Sequence, residues 1–201
     1  ALLAALRRFS ATFETFEDAR AYLESEPDIP SAEGTRTGWI RALHQDQGFL
    51  HFQIGNLSAS INHYSTAFQK TPEHEVGLRI THLLDVGILH QYTQDYRSAH
   101  HYYDRARRLA REHDRTPEKH PSEWARLLYH QADLLLDETL NAEFARAPLQ
   151  RARDLARRGR ALAEAPARRT DLTLTLSESL GYLESFDRAY ALNAEVRRYA
   201  R

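Results

Sequence analysis

Eleven histidines stand out in this chain of 201 residues, and imidazole side chains first suggest a metal site. A metal-binding pair on one helix needs histidines three or four residues apart, because that spacing turns both rings to one face. No two histidines in the sequence have that spacing. His82 and His90 are eight residues apart and would need further ligands from elsewhere. We therefore expect no metal and no cofactor, and interpret the histidines as packed or solvent-exposed side chains.

The carboxylates of Asp133, Asp137 and Glu138 form the other cluster that could carry chemistry. Paired carboxylates can act as general acid and base, but acids at this spacing are also ordinary on a solvated helix face, which we favour. The sequence has no Gly-x-Ser-x-Gly elbow, no phosphate-binding glycine loop, no dinucleotide fingerprint and no cysteine. We therefore expect that the protein is not an enzyme and has no catalytic residue. The alternative is an enzyme that uses these carboxylates.

The elements that would position such residues are helices. Apolar residues recur at intervals of three and four along almost the whole chain, as between Ile80 and Leu89, and hairpin signals for strands are missing. The stretch Leu172–Leu176 alternates as a strand would, but Thr170 and Asp171 before it are typical of a helix start. The sequence predicts an all-α fold, with a helix over this stretch as well.

Turn signals divide the chain into short helices. Breaks are predicted at Pro27–Gly34, at Gly55–Asn56 and at Thr116–Ser122. Thr71 and Pro72 are interpreted as an N-cap followed by proline at the first helical position. The result is a series of antiparallel helix hairpins, an architecture in which internal repeats are common.

Two neighbouring stretches match when shifted by 39 residues, from Gly48 to Gly87. In both, a glycine precedes a turn, and small, aromatic and small residues follow at spacings of four and three. Small residues suit places where helix axes approach, and a ring fills the gap beside them. The first copy consists of Gly48, Gly55, Asn56, Leu57, Ser60, Tyr64, Ala67 and Pro72. The second copy consists of Gly87, Gln94, Asp95, Tyr96, Ala99, Tyr103 and Ala106.

This pattern resembles the tetratricopeptide repeat (TPR), a family of helix hairpins stacked into a right-handed superhelical solenoid. Weaker copies are present around Phe16, around Leu149 and around Ser177. Their long spacing is similar to that of bacterial peptide-receptor regulators and adaptor proteins. The resemblance implies one domain over residues 1–201, with five repeats at about 1–27, 38–72, 74–113, 122–160 and 170–201.

In the TPR family the first helix of each repeat lines a concave groove that binds a protein or peptide segment. Applied to this sequence position by position, the resemblance implies an apolar groove with amide and carboxylate groups at its edges. Each of these side chains could instead belong to the core. The Lys and Asn with which chaperone-binding members hold a carboxylate are missing at Gln45 and Phe49, so we expect no chaperone-tail partner. The implied groove residues are Gln45, Phe49, Phe52, Gln53, Leu84, Ile88, Gln91, Tyr92, His130, Leu134, Asp137, Glu138, Glu178 and Tyr182.

The resemblance implies a non-catalytic scaffold for protein–protein interaction, with a protein or peptide segment as the partner. The alternative is a ligand- or peptide-sensing domain of a larger transcriptional or signalling regulator. That alternative arises because the sequence contains no methionine, not even at position 1, and we expect it to be part of a longer protein.

The net charge of −1 conceals two oppositely charged stretches. Residues 14–33 carry seven acids against Arg20, and residues 146–169 carry eight arginines against two acids. Arginine collects on exposed helix faces, and no DNA-reading element accompanies it, so we expect no nucleic-acid partner. No stretch approaches the roughly 18 apolar residues of a membrane span, and no signal peptide is recognisable. We expect a cytoplasmic protein without a membrane partner, and leave a homo-oligomer open.

Overall fold

A computed structural model describes residues 14–22, 25, 36–141, 146–164, 169–175 and 177–184. Within these ranges the chain forms helices joined by turns and contains no strand, which confirms the predicted all-α class. The alternating stretch is also helical over residues 172–175, and its last residue, Leu176, lies outside the described residues. Among the described residues, no helix combines the length and apolarity needed to cross a lipid bilayer.

The helices follow one another with short turns. Six helices have defined bounds. Further helical residues precede and follow them, at 14–22, 169–175 and 177–184. The chain forms two compact units, an N-terminal unit of residues 1–95 and a C-terminal unit of residues 96–201, divided at the turn between α3 and α4. The six helices are α1 (Arg36–Gln53), α2 (Leu57–Lys70), α3 (Val76–Tyr92), α4 (Tyr96–Glu112), α5 (Pro121–Asn141) and α6 (Arg146–Leu162).

The predicted break at Gly55–Asn56 is confirmed, and both residues have a local role there. Gly55 has a φ of 77°, in the left-handed region that favours glycine. The Asn56 side chain accepts a hydrogen bond from the backbone N–H of Ala59 and thereby caps the start of α2. The glycine and the asparagine therefore form the turn at the position where the sequence predicts a break.

The predicted N-cap at Thr71 is wrong. Thr71 instead follows the last residue of α2, where its hydroxyl donates to the carbonyl of Ala67 and its N–H donates to that of Phe68. Pro72 lies in the following turn, and α3 begins only at Val76. A threonine hydroxyl can donate to the carbonyl four residues earlier as well as cap the start of a helix. Thr71 and Pro72 therefore indicate a helix boundary but do not show whether a helix begins or ends there.

Small residues bring the helices of the N-terminal unit together. Helix α1 packs on α2, and α2 packs on α3. The Ser60 hydroxyl donates a 2.7 Å hydrogen bond to the carbonyl of Gly48, and both Ser60 and Ala67 are completely buried. Gly48 therefore lets the backbone of α1 approach α2 closely, as the repeat pattern predicts.

The C-terminal unit has a core of alanine and leucine. Helix α4 packs on α5, and α5 packs on α6. Ala99, Tyr103 and Ala106 are completely buried on α4, so the small–aromatic–small positions of the sequence pattern face the interior. Gly159 on α6 leaves room for Leu172, because a Cβ there would lie 2.9 Å from that side chain.

The connection between α4 and α5 is fixed by polar contacts. The Arg115 guanidinium forms a bidentate ion pair with Glu123, with nitrogen–oxygen distances of 2.9 and 3.0 Å. The indole N–H of Trp124 donates to the carbonyl of Arg115. These bonds hold the loop against the first turn of α5.

Candidate peptide-binding surface

Three aromatic residues of the N-terminal unit form an exposed surface, which we call the aromatic surface: Phe49, Phe52 and Tyr92. Phe49 and Phe52 lie three residues apart in the last turns of α1, so they are neighbours on that helix. Tyr92 ends α3, and its ring centroid lies 5.3 Å from that of Phe52 with the planes inclined by 58°. Phe49 is 52% exposed and Tyr92 is 62% exposed. The fold thus brings residues 40 positions apart in sequence into one open aromatic surface.

Polar residues accompany the aromatic surface on both helices. Gln53 is exposed at the end of α1, and Gln45 lies half-buried two turns earlier on that helix. Gln91 and Ile88 are half-buried on α3, within one turn of Tyr92. Apart from Phe49 and Leu84, all six implied groove residues of this unit are at least partly accessible. Three of them, Gln45, Gln53 and Gln91, carry amide groups that can hydrogen-bond to a peptide backbone.

Two of the implied groove residues are core residues. Leu84 on α3 is 1% exposed, and Leu134 on α5 is 0% exposed. Neither side chain can touch a ligand while its helix stays packed, because other side chains already surround it. Each of these residues could have been a groove residue or a core residue. The structure places both in the core, which corrects the implied groove at these two positions.

In the C-terminal unit, His130 is part of an aromatic stack. Its ring lies 6.0 Å from that of Tyr103, nearly parallel, and 4.9 Å from that of Tyr129, edge to face. Tyr103 is completely buried, and His130 is half-buried beside it. The histidine packs on the core with one face and keeps only partial access to solvent.

The carboxylates of α5 make local hydrogen bonds. Asp137 accepts from the side-chain amide of Asn141 at 2.9 Å, one turn later. Glu138 lies 2.9 Å from Nε2 of His100, which reaches it from α4. Burial raises the pKa of the nearby Tyr96, and the charge of Asp137 raises it further. Such contacts between neighbouring side chains are typical of a solvated helix–helix edge.

The last two implied groove residues differ in their surroundings. Glu178 is exposed to solvent. Tyr182 is half-buried and packs against a cluster formed by Leu136, Leu149 and Leu183. Tyr182 therefore contributes to the core of the C-terminal unit.

Three histidines form a group in the N-terminal unit that was not predicted from the sequence, and we call it the histidine cluster: His44, His51 and His63. His44 and His51 lie seven residues apart on α1, and His63 faces them from α2. A spacing of seven also places two side chains on one helix face, so this signal was available in the sequence. Within the described ranges, no three histidine or carboxylate side chains have an arrangement that could hold a metal ion.

A separate pocket of about 360 Å³ lies in the C-terminal unit. Arg169, Thr170, Thr173 and Leu174 line it, and none of the implied groove residues does. The Arg169 guanidinium is engaged by the carbonyl of Ala163. The pocket therefore shares no residue with the aromatic surface.

No protein-family model matches this sequence, and no curated protein matches it significantly.

Proposed function

We propose that this chain is a non-catalytic module that binds a protein or peptide segment on the aromatic surface of its N-terminal unit. The observation that carries the proposal is the exposure of Phe49 and Tyr92 beside the ring of Phe52. Aromatic side chains left open to water at neighbouring positions are the usual anchors of protein interfaces. The free energy of binding would come from removing these rings and apolar partner side chains from water.

The polar neighbours give this surface a way to fix the register of a bound segment through hydrogen bonds. Gln53 follows Phe52 and Gln91 precedes Tyr92 in the sequence, and both side chains carry donors and acceptors. A peptide backbone offers alternating N–H and carbonyl groups, which an amide side chain can pair with in either direction. We therefore expect a segment with two or more apolar side chains, bound in an extended or helical form.

We further propose that the helix pairs are TPR-like repeats of a solenoid, as the sequence pattern implies. The buried Ser60 and Ala67 on α2 and the buried Ala99 and Ala106 on α4 occupy matching positions of the pattern, which supports the proposal. The contact of α1 with α2 through Gly48 supports it in the same way. A cytoplasmic location and a bacterial type of repeat remain predictions from the sequence.

The experiment is a peptide selection followed by a variant test. Peptides are selected from a random displayed library on the wild-type chain, and their affinities are then measured by fluorescence polarisation. Phe49→Ala combined with Tyr92→Ala is expected to weaken binding by at least about tenfold, because each ring is an anchor of the interface. Helical circular dichroism should stay near wild type, since both rings are exposed.

The matched control is Leu174→Ala, which removes an exposed apolar side chain from the C-terminal unit. Its peptide affinity should equal that of the wild type. If the double variant binds the selected peptides as tightly as the wild type does, the aromatic surface is not the binding site.

A further inference from the structure

The histidine cluster is held together by direct ring contacts. The Nδ1 atoms of His44 and His63 are 3.1 Å apart, and the ring centroids are 5.3 Å apart. His51 stacks on His63 with a centroid distance of 5.1 Å and an angle of 15° between the planes. All three side chains are half-buried between α1 and α2.

This geometry requires neutral imidazole. A hydrogen bond between two ring nitrogens needs one N–H donor and one acceptor that carries no proton. At least one of His44 and His63 must therefore be neutral for their Nδ1 atoms to lie 3.1 Å apart in this bond. Because His51 is stacked on the same ring, protonation of several members would place like charges about 5 Å apart in a partly dry interface.

The surrounding charges reinforce this preference. Arg20, from the helical residues 14–22, opposes the protonation of His63, whereas Glu17 favours it. Glu17 is already paired with Arg20 and accepts a hydrogen bond from the buried amide of Gln47. Helix α3 also packs on α2, but its Arg79 lies over the ring of Phe68.

Protonation of the cluster is unfavourable in the folded chain. Burial lowers the pKa of His63 from 6.5 to about 4, with smaller contributions from the charges of His44, His51 and Arg20. Burial also lowers the pKa of His51. In the folded chain His63 is therefore neutral at physiological pH, which meets the requirement of the hydrogen bond between the rings.

We propose that the histidine cluster is an acid-sensitive switch that holds α1 on α2 while its rings are neutral and releases this packing when they are protonated. The inference does not depend on the proposed function, because the cluster would act on the folding of the N-terminal unit whatever that unit binds.

The direction of the effect follows from proton linkage. In the unfolded chain His63 has an ordinary pKa of 6.5, whereas in the folded chain its pKa is about 4. Between these two values the unfolded state binds more protons, so acid draws the chain towards unfolding. The stabilising contribution is complete above a pH of 6.5 and is lost progressively as the pH falls towards 4.

The test compares thermal unfolding at about pH 7.5 and about pH 5. We expect the wild type to lose about 4–8 °C more in Tm between these conditions than His63→Gln does, because glutamine does not titrate. The matched control is His74→Gln, which removes an exposed histidine of the same unit and should keep the wild-type loss. An equal loss in His63→Gln and the wild type would overturn the proposal.

A second measurement needs no variant at position 63. Imidazole proton resonances of the wild type are followed by NMR from about pH 8 to about pH 4.5. The resonance assigned to His63 should keep the chemical shift of a neutral ring at about pH 5. If that resonance titrates with an ordinary midpoint near 6.5, the ring is not protected and the switch does not exist.

Discussion

Gly48 on α1 lies directly beside the ring of Tyr64 on α2. A Cβ added at Gly48 would come within 2.8 Å of Cδ2 and 2.9 Å of Cε2 of that ring. Real Cβ atoms do not approach carbon so closely, so either the ring or the helix would have to move. The neighbouring hydrogen bond from Ser60 to the Gly48 carbonyl limits the movement of the helix.

This contact predicts that Gly48→Ala destabilises the N-terminal unit. We expect a loss of about 1–3 kcal/mol in the free energy of unfolding, since overpacking outweighs the better helix propensity of alanine. Urea denaturation followed by circular dichroism measures it. The control is Gly181→Ala, where a Cβ would meet no atom within 4 Å and stability should stay equal or rise. A Gly48→Ala variant as stable as wild type would contradict the close approach of α1 and α2.

A pair of truncations distinguishes a core residue from a surface residue among the implied groove positions. Leu134→Ala should cost about 2–5 kcal/mol, because it leaves a cavity in a completely buried site. Phe49→Ala should change stability by no more than about 0.5 kcal/mol, because the ring is already half in water. Chemical denaturation of both variants provides the comparison. Similar losses in the two variants would mean that Phe49 is packed in solution.

The bidentate pair between Arg115 and Glu123 predicts a measurable coupling. Both side chains are largely shielded from solvent, so a double-mutant cycle with alanine should give about 1–2 kcal/mol. The matched control is the exposed pair of Arg107 and Asp104, three residues apart on α4, for which we expect less than about 0.5 kcal/mol. Equal coupling energies in the two cycles would show that shielding from solvent does not strengthen the interaction between Arg115 and Glu123.

The arginines of α6 are predicted not to form a nucleic-acid site. Arg151 and Arg158 lie on one flank of the buried face, and Arg146, Arg157 and Arg160 lie on the other, because residues follow one another at about 100° around a helix. Neither flank offers more than three exposed arginines of this helix to a phosphate backbone. In fluorescence anisotropy with duplex DNA we expect no saturable binding at about 150 mM salt. Saturable binding there, with a steep salt dependence, would establish the partner that the sequence analysis discounted.

The helices and their breaks could be predicted because the signals are local. Gly55 and Asn56 end one helix and start the next through their own backbone and side-chain bonds. The buried positions of Ala99, Tyr103 and Ala106 were predictable for the same reason, since their spacing places them on one helix face. Thr71 shows the limit of such signals, because a threonine hydroxyl can form hydrogen bonds at the end of a helix as well as at its start.

At the implied groove positions, the side chains that meet solvent could not be predicted, because their exposure depends on what covers each helix. Leu84 and Ile88 lie one turn apart on α3, yet only Leu84 is completely buried. The histidine cluster could not be predicted as a ligand pair, because its members do not have the spacing of three or four that such a pair needs within one helix. His63 joins the other two rings only through the packing of α2 on α1.

Each compact unit contains one of the two tryptophans of the chain, and they differ in environment. Trp39 on α1 is 41% exposed, whereas Trp124 on α5 is 4% exposed and its indole N–H is hydrogen-bonded. Their fluorescence should therefore differ in wavelength, with the emission of Trp124 shifted to the blue. With Trp39→Phe and Trp124→Phe, intrinsic emission reports the melting of each half separately. The chain thus carries its own spectroscopic label for deciding whether the two halves unfold as one cooperative body or in succession.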